Sequence, residues 1–271
     1  MLTFLAPLMW RSATQARFVL LGCLCLLSGL QIVIVGQASA LEEAHGFSRM
    51  ADLVPAFLQR GLGSKSFLLV TFKGTVAFGY FHPLVVILIS VLGIYFVTEP
   101  AHEVEAGLVD VTLARSVPRH VIVTRSLLLA VGAVTAATLL MAAGTRLGLR
   151  AFGSPEFDAP SAAAAVRLLA HLAGVALCLA GFGLAVAAGA RRWSTAFTIA
   201  TLTAVVTYLL DFLAIGWPVL RFIAWISPFH YYPALSILAG DAPAWRNLAV
   251  LLSAATAFSA LGYWRFSRRD L

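Results

Sequence analysis

The side chains with most chemical potential gather in residues 98–125, where Glu99, Glu103, Glu105, Asp110, Arg115, Arg119 and Arg125 stand between long apolar runs. His102-Glu103 begins as a zinc-protease helix motif would, but H-E-x-x-H needs a second imidazole one turn on, and Ala106 stands there. Gly61-Leu62-Gly63-Ser64-Lys65-Ser66 has the composition of a phosphate loop. The motif G-x-x-x-x-G-K-[ST] requires glycine immediately before the lysine, however, and that residue is Ser64. Cys23-x-Cys25 offers two soft ligands of the kind copper(I) takes, yet residues two apart on a helix do not share a face. Thiols inside an apolar run behave as small buried hydrophobes, which is the stronger reading of this pair. No G-x-S-x-G nucleophile elbow is present. The residues thus point to no catalytic group, no metal site and no nucleotide site on this chain. What remains in 98–125 is charge at helical spacing, broken at Pro118, whose missing N–H and fixed φ disfavour helix continuation. This reads as a short surface helix with its mixed charges outward, a turn, and the start of a new apolar run. A helix of that kind is a docking surface for a soluble partner.

The elements that must position these residues follow from composition. Of 271 residues, 61% are hydrophobic and 11% charged, against about 25% charged in a soluble domain, and mean hydropathy is +0.91. An all-α integral membrane protein is expected. Runs near 18–36, 76–97, 126–144, 166–190, 195–215 and 244–264 each approach the roughly 20 apolar residues that a transmembrane helix needs. A formal charge of +7 would suggest nucleic acid as a partner in a soluble chain. Here the basic residues flank the spans, where they anchor to headgroups and set orientation, so nucleic acid is discounted. An even number of spans puts both termini on one side. Basic residues divide almost equally between the two sides, and density in the short segments decides: Arg191-Arg192 in a tight turn and Arg265, Arg268 and Arg269 in the tail place the termini in the cytoplasm.

Residues 1–17 alternate apolar and polar groups as an interfacial helix does, and 18–271 form a single transmembrane domain. Ala38-Ser39-Ala40 imitates a signal cleavage site, but the apolar run before it is longer than a signal core, which favours an uncleaved span. Residues 38–74 are expected as an outer loop carrying one or two surface helices. The fourth run has small residues at Ala170, Gly174, Cys178 and at Gly181, Ala185, Gly189, spacing that lets helix backbones approach, within the subunit or across a dimer. Residues 216–243, rich in proline and aromatics, suit a re-entrant or interfacial helical pair. Polar groups that could line a pathway are Thr201, Tyr208, Asp211, His82 and His230, with Phe229 beside them. His82 next to Pro83 could fill a carbonyl that the proline frees, contact headgroups, or meet a substrate. For His82 and Asp211, both near span ends, interfacial or structural use is favoured over substrate contact.

Glu105-Ala106-Gly107, then Leu113-Ala114-Arg115-Ser116-Val117-Pro118-Arg119, then Val121 to Arg125 leading into the next span, resemble the first cytoplasmic loop of ABC-2-type transporter permeases. The family's frequent threonine after the glycine is Leu108 here, and its frequent lysine before the third span is Arg125. Ser227-Pro228-Phe229 with its aromatic cluster is similar to the segment before that family's last span, and span order agrees along the whole chain. The resemblance implies an elbow helix at 1–17 and a coupling loop at 98–125, with Glu99, Glu103, Glu105, Gly107, Asp110, Arg115, Pro118 and Arg119 seated against a separate ATPase subunit. That partner would carry ATP and Mg. It further implies a second permease copy, lipid as surroundings, a bacterial inner membrane, and outward transport driven by movement of the elbow helix and of spans one, two and five. A channel or secondary carrier, which would use intramembrane charge and often internal repeats, is the alternative. So is a membrane-embedded enzyme or assembly factor.

Overall fold

Hydrocarbon offers the backbone no hydrogen-bond partners, so apolar runs long enough to cross it must satisfy their own ladder as helices. The computed structural model, which describes residues 2–53, 66–107, 118–241 and 244–268, follows that rule, with no strand among those residues. The chain order is α1 (Leu2–Gln15), α2 (Arg17–Glu43), α3 (Gly46–Leu53), α4 (Phe72–Phe81), α5 (Pro83–Glu105), α6 (Arg119–Phe152), α7 (Ala162–Ala187), α8 (Trp193–Gly216), α9 (Arg221–Ala224), α10 (Ala234–Ala239) and α11 (Ala244–Ser267). Single 3₁₀ turns lie at Ser66–Val70, Pro218–Leu220 and Pro228–Tyr231. Among the described residues six helical stretches are long and apolar enough to cross a membrane, α4 and α5 together making the second. The fold is that of an all-α polytopic membrane protein.

The fourth span, α7, is the hub. Of its most apolar window 72% is buried, against 17% for α8 and for α11. It packs on α5, α6, α8 and α11, while α2 packs on α6 and α4. Small residues permit the closest of these approaches: a Cβ at Gly181 would stand 2.7 Å from the Ala255 carbonyl oxygen, and one at Gly174 would meet Leu248 and Leu251. The small-residue seam of the fourth span is therefore an intrasubunit joint with the sixth. The amphipathic α1 lies along the start of α6, where Leu5 meets Val121.

Several helices overrun their expected limits. α2 continues to Glu43, the second span occupies 72–105, and α6 runs for 34 residues to Phe152. A helix of that length is about 51 Å long, well beyond the roughly 30 Å of hydrocarbon, so its ends stand outside the apolar layer. Of 98–125, expected as a surface helix, a turn and the start of a span, the two described flanks belong to the spans themselves, and 108–117 lie outside the described residues. Residues 98–105 complete the α5 helix, Gly107 leaves it at a left-handed φ of +67°, and Pro118 caps α6. Asp110 and Arg115, and the Gly61 to Lys65 stretch, lie outside the described residues.

Candidate functional site

Two polar sites occupy opposite ends of the bundle. At the end that carries both termini, α5 and α6 pack side by side and bring Glu103 opposite Arg125. Glu99 and Glu103 are four apart and share a helix face. The Arg125 guanidinium forks onto Glu103, Nη1 donating to Oε1 at 2.8 Å and Nη2 to Oε2 at 3.1 Å, and Glu99 Oε2 lies 3.6 Å from Nη2. Expected to face outward, Glu103 and Arg125 are instead buried, at 5% and 1% exposure. The reason is mutual: a buried charge survives only when paired, and the bidentate fork is the strongest such pairing. From α1, Ser12 hydrogen-bonds Glu99, and Arg11 brings a second positive charge towards it.

Glu105 faces a different neighbour. Its Oε2 accepts the backbone N–H of Trp193 at 2.9 Å. Trp193 is the first residue of α8, whose own cap residue Arg192 supplies no side-chain hydrogen bond. Glu105 thus caps α8 from another span, placing negative charge at the positive end of the helix dipole. The Trp193 indole donates to Thr98 Oγ1 at 3.2 Å. Between α1, α5 and α8 lies a cavity of about 430 Å³ with Ser12, Gln15, Glu99 and His102 on its polar wall. Gly107, Pro118 and Arg119 flank the connection from α5 to α6.

The opposite end is built around the break at Pro83. Proline has no N–H to give the Gly79 carbonyl, four residues back. The Leu84 N–H is also diverted, donating to His82 Nδ1 at 3.2 Å as a helix cap. Two carbonyls reach for outside donors and find them: Gln31 Nε2 donates to Gly79 O at 2.7 Å, and the Tyr232 hydroxyl donates to Tyr80 O at 3.3 Å. The Tyr80 hydroxyl in turn donates to Thr145 Oγ1 at 2.8 Å, which lies 3.3 Å from Gln31 Oε1. His82 therefore fills no freed carbonyl. The amide of the first span does so, a role the sequence signals only through a lone glutamine in an apolar run. Gln31→Leu is expected to leave the Gly79 carbonyl buried without a donor and to cost about 1–3 kcal/mol. Unfolding of the purified protein in mixed micelles, compared with the unaltered chain, measures it.

Beside this network a cavity of about 480 Å³ opens between α4, α5, α8 and the aromatic segment. Tyr208, Asp211 and Phe229 line it, together with Phe212 and Tyr232, which sequence reasoning did not single out. His230 Nδ1 stands 3.7 Å from Asp211 Oδ1. Ser227 staples the segment to α8: its hydroxyl donates to Thr207 O at 2.9 Å and accepts the Phe229 N–H at 3.1 Å. His82 and Thr201 are not among the lining residues. Along α8, Thr203 and Thr207 return their hydroxyls to backbone carbonyls of their own helix.

Comparison with protein-family models, with curated proteins and with solved structures finds no match to the chain.

Proposed function

We propose that this chain is the membrane-spanning permease of an ATP-driven exporter of the ABC-2 type. It is non-catalytic itself, with hydrolysis of Mg-bound ATP on a separate subunit. The observation that carries the reading is the way the connection from α5 to α6 is anchored. Glu103 and Arg125 clamp its two flanks together, and Glu105 holds the start of α8 through Trp193. Glu99 reaches α1 through Ser12. Displacement of that connection by a soluble partner would therefore reach α1 and the second, third and fifth spans as one body. These include the elbow helix and two of the three spans whose movement such a transporter needs. In this reading both termini face the cytoplasm of a bacterial cell, the docking residues are Glu105, Gly107, Asp110, Arg115, Pro118 and Arg119, and two permease copies assemble in the lipid with the ATPase.

The test has two parts. Isolation of the tagged chain from its native membrane is expected to bring an ATPase with it, and a chain that transports alone overturns the proposal. Glu105→Ala and Arg119→Ala, each removing a charge beside the connection, are expected to lower permease-stimulated ATP hydrolysis roughly five- to tenfold, the equivalent of about 1–1.4 kcal/mol of coupling. Unchanged transport in both variants removes the docking role.

A further inference from the structure

We propose that the cavity beside Asp211 binds an amphipathic organic monocation, a quaternary or protonated amine carried on an apolar body. Its standing as transported cargo rests on the permease reading, whereas its binding does not.

Sign comes first. Asp211 is the sole acid lining the cavity, and no lysine or arginine lines it among the described residues. The carboxylate is 29% exposed, and its one ionic neighbour, His230, is 3.7 Å away and itself half exposed. That distance exceeds a direct hydrogen bond, which leaves the carboxylate, a lining residue, with acceptor capacity of its own. An anionic ligand would meet this charge with no lysine or arginine among the lining residues to offset it, and His230 stands outside the lining.

The walls supply the second requirement. Phe229 and Tyr232, both buried, form the floor. Tyr208 meets Phe229 edge-on with ring centroids 5.3 Å apart and lies parallel to Phe212 at 6.5 Å. Phe78 and Phe81 stand on the α4 side. Aromatic faces around one carboxylate attract a weakly hydrated cation through their quadrupoles, and most strongly where water is scarce. A volume of about 480 Å³ falls in the range that encloses a drug-sized molecule. The rim is apolar, Phe212 being 58% and Ile215 72% exposed, so a ligand dissolved in the bilayer can enter sideways. A neutral molecule or an acyl chain would satisfy the walls but leave the acid unmatched.

Binding to the purified chain in nanodiscs of zwitterionic lipid decides the matter, with a fluorescent alkyl-trimethylammonium as probe. Saturable binding is expected, displaced by the unlabelled cation and not by the neutral alkyl alcohol or the alkyl sulfonate of equal length. Equal displacement by all three overturns the proposal without any variant and identifies an unselective apolar groove. Asp211→Asn is expected to weaken the probe by about tenfold or more, the loss of one charged partner, while Asp211→Glu retains it. Undiminished affinity in Asp211→Asn, with its unfolding midpoint unchanged, also overturns it. An ATPase co-isolated with a chain that ignores the cation would leave the transporter reading standing and this one fallen. A chain that takes the cation but never an ATPase would do the reverse.

Discussion

Arg125→Met is expected to destabilise the folded bundle by about 3–5 kcal/mol, because it strips the partner from a buried carboxylate and does not remove the carboxylate. Glu103 is 5% exposed and makes both of its close ionic hydrogen bonds to Arg125, and Glu99 stands within 3.6 Å of the same guanidinium. With the arginine gone, two acids on one helix face would confront each other in a setting of low dielectric. Burial and like-charge repulsion act in the same direction, so one of them must take up a proton or the helices must part. The double variant Arg125→Met with Glu103→Met is expected to regain most of the loss. Replacing both members of a buried pair with apolar groups is often neutral, and Glu99 keeps Ser12 and Arg11 as neighbours. Equilibrium unfolding in mixed micelles measures both. A single variant within about 1 kcal/mol of the parent would mean that the pair is hydrated and worth no more than a surface bridge.

The same pair shows how far the sequence could be read. Charge fraction and apolar run length settle that the chain spans a membrane as helices, since each run must satisfy its own backbone. They do not settle where a helix ends, because the ends here are fixed across helices: α5 extends to Glu105 and α6 starts at Arg119 with their charges matched to each other and to the start of α8. Pro83 announced a broken ladder and a freed carbonyl, yet the donor to that carbonyl, on Gly79, is Gln31, 48 residues before it, and no local pattern encodes that pairing. Tyr208, Asp211 and Phe229 could each be picked out by type. Their convergence depends on Ser227 folding the aromatic segment back onto α8, and the aromatic walls contributed by α4 and Tyr232 became visible only with the tertiary fold. Small residues on the fourth span marked a close joint but not its partner.

That joint supplies the second large effect. Gly181→Leu is expected to cost about 3 kcal/mol or more, the upper part of the range for overpacking, and to do so through the backbone. A Cβ at this position would approach the Ala255 carbonyl oxygen to 2.7 Å and Ser259 Oγ to 3.1 Å. A helix backbone on the far side cannot rotate away as a side chain does, so α11 must translate. The shift would carry further along the seam, since Gly262 lies against Leu184 and Ala185, and Arg265 donates to Ala185 O at 3.1 Å. Near the terminal end, Tyr263 reaches the Thr124 hydroxyl at 2.9 Å, which links the sixth span to α6 beside Arg125. A displaced α11 would therefore loosen the charged cluster as well as the α7 joint. Gly132→Leu serves as the control: no atom lies within 4 Å of a Cβ placed there, so near-parental stability is expected. Comparable stability of Gly181→Leu and Gly132→Leu would show that the fourth and sixth spans do not meet at this seam.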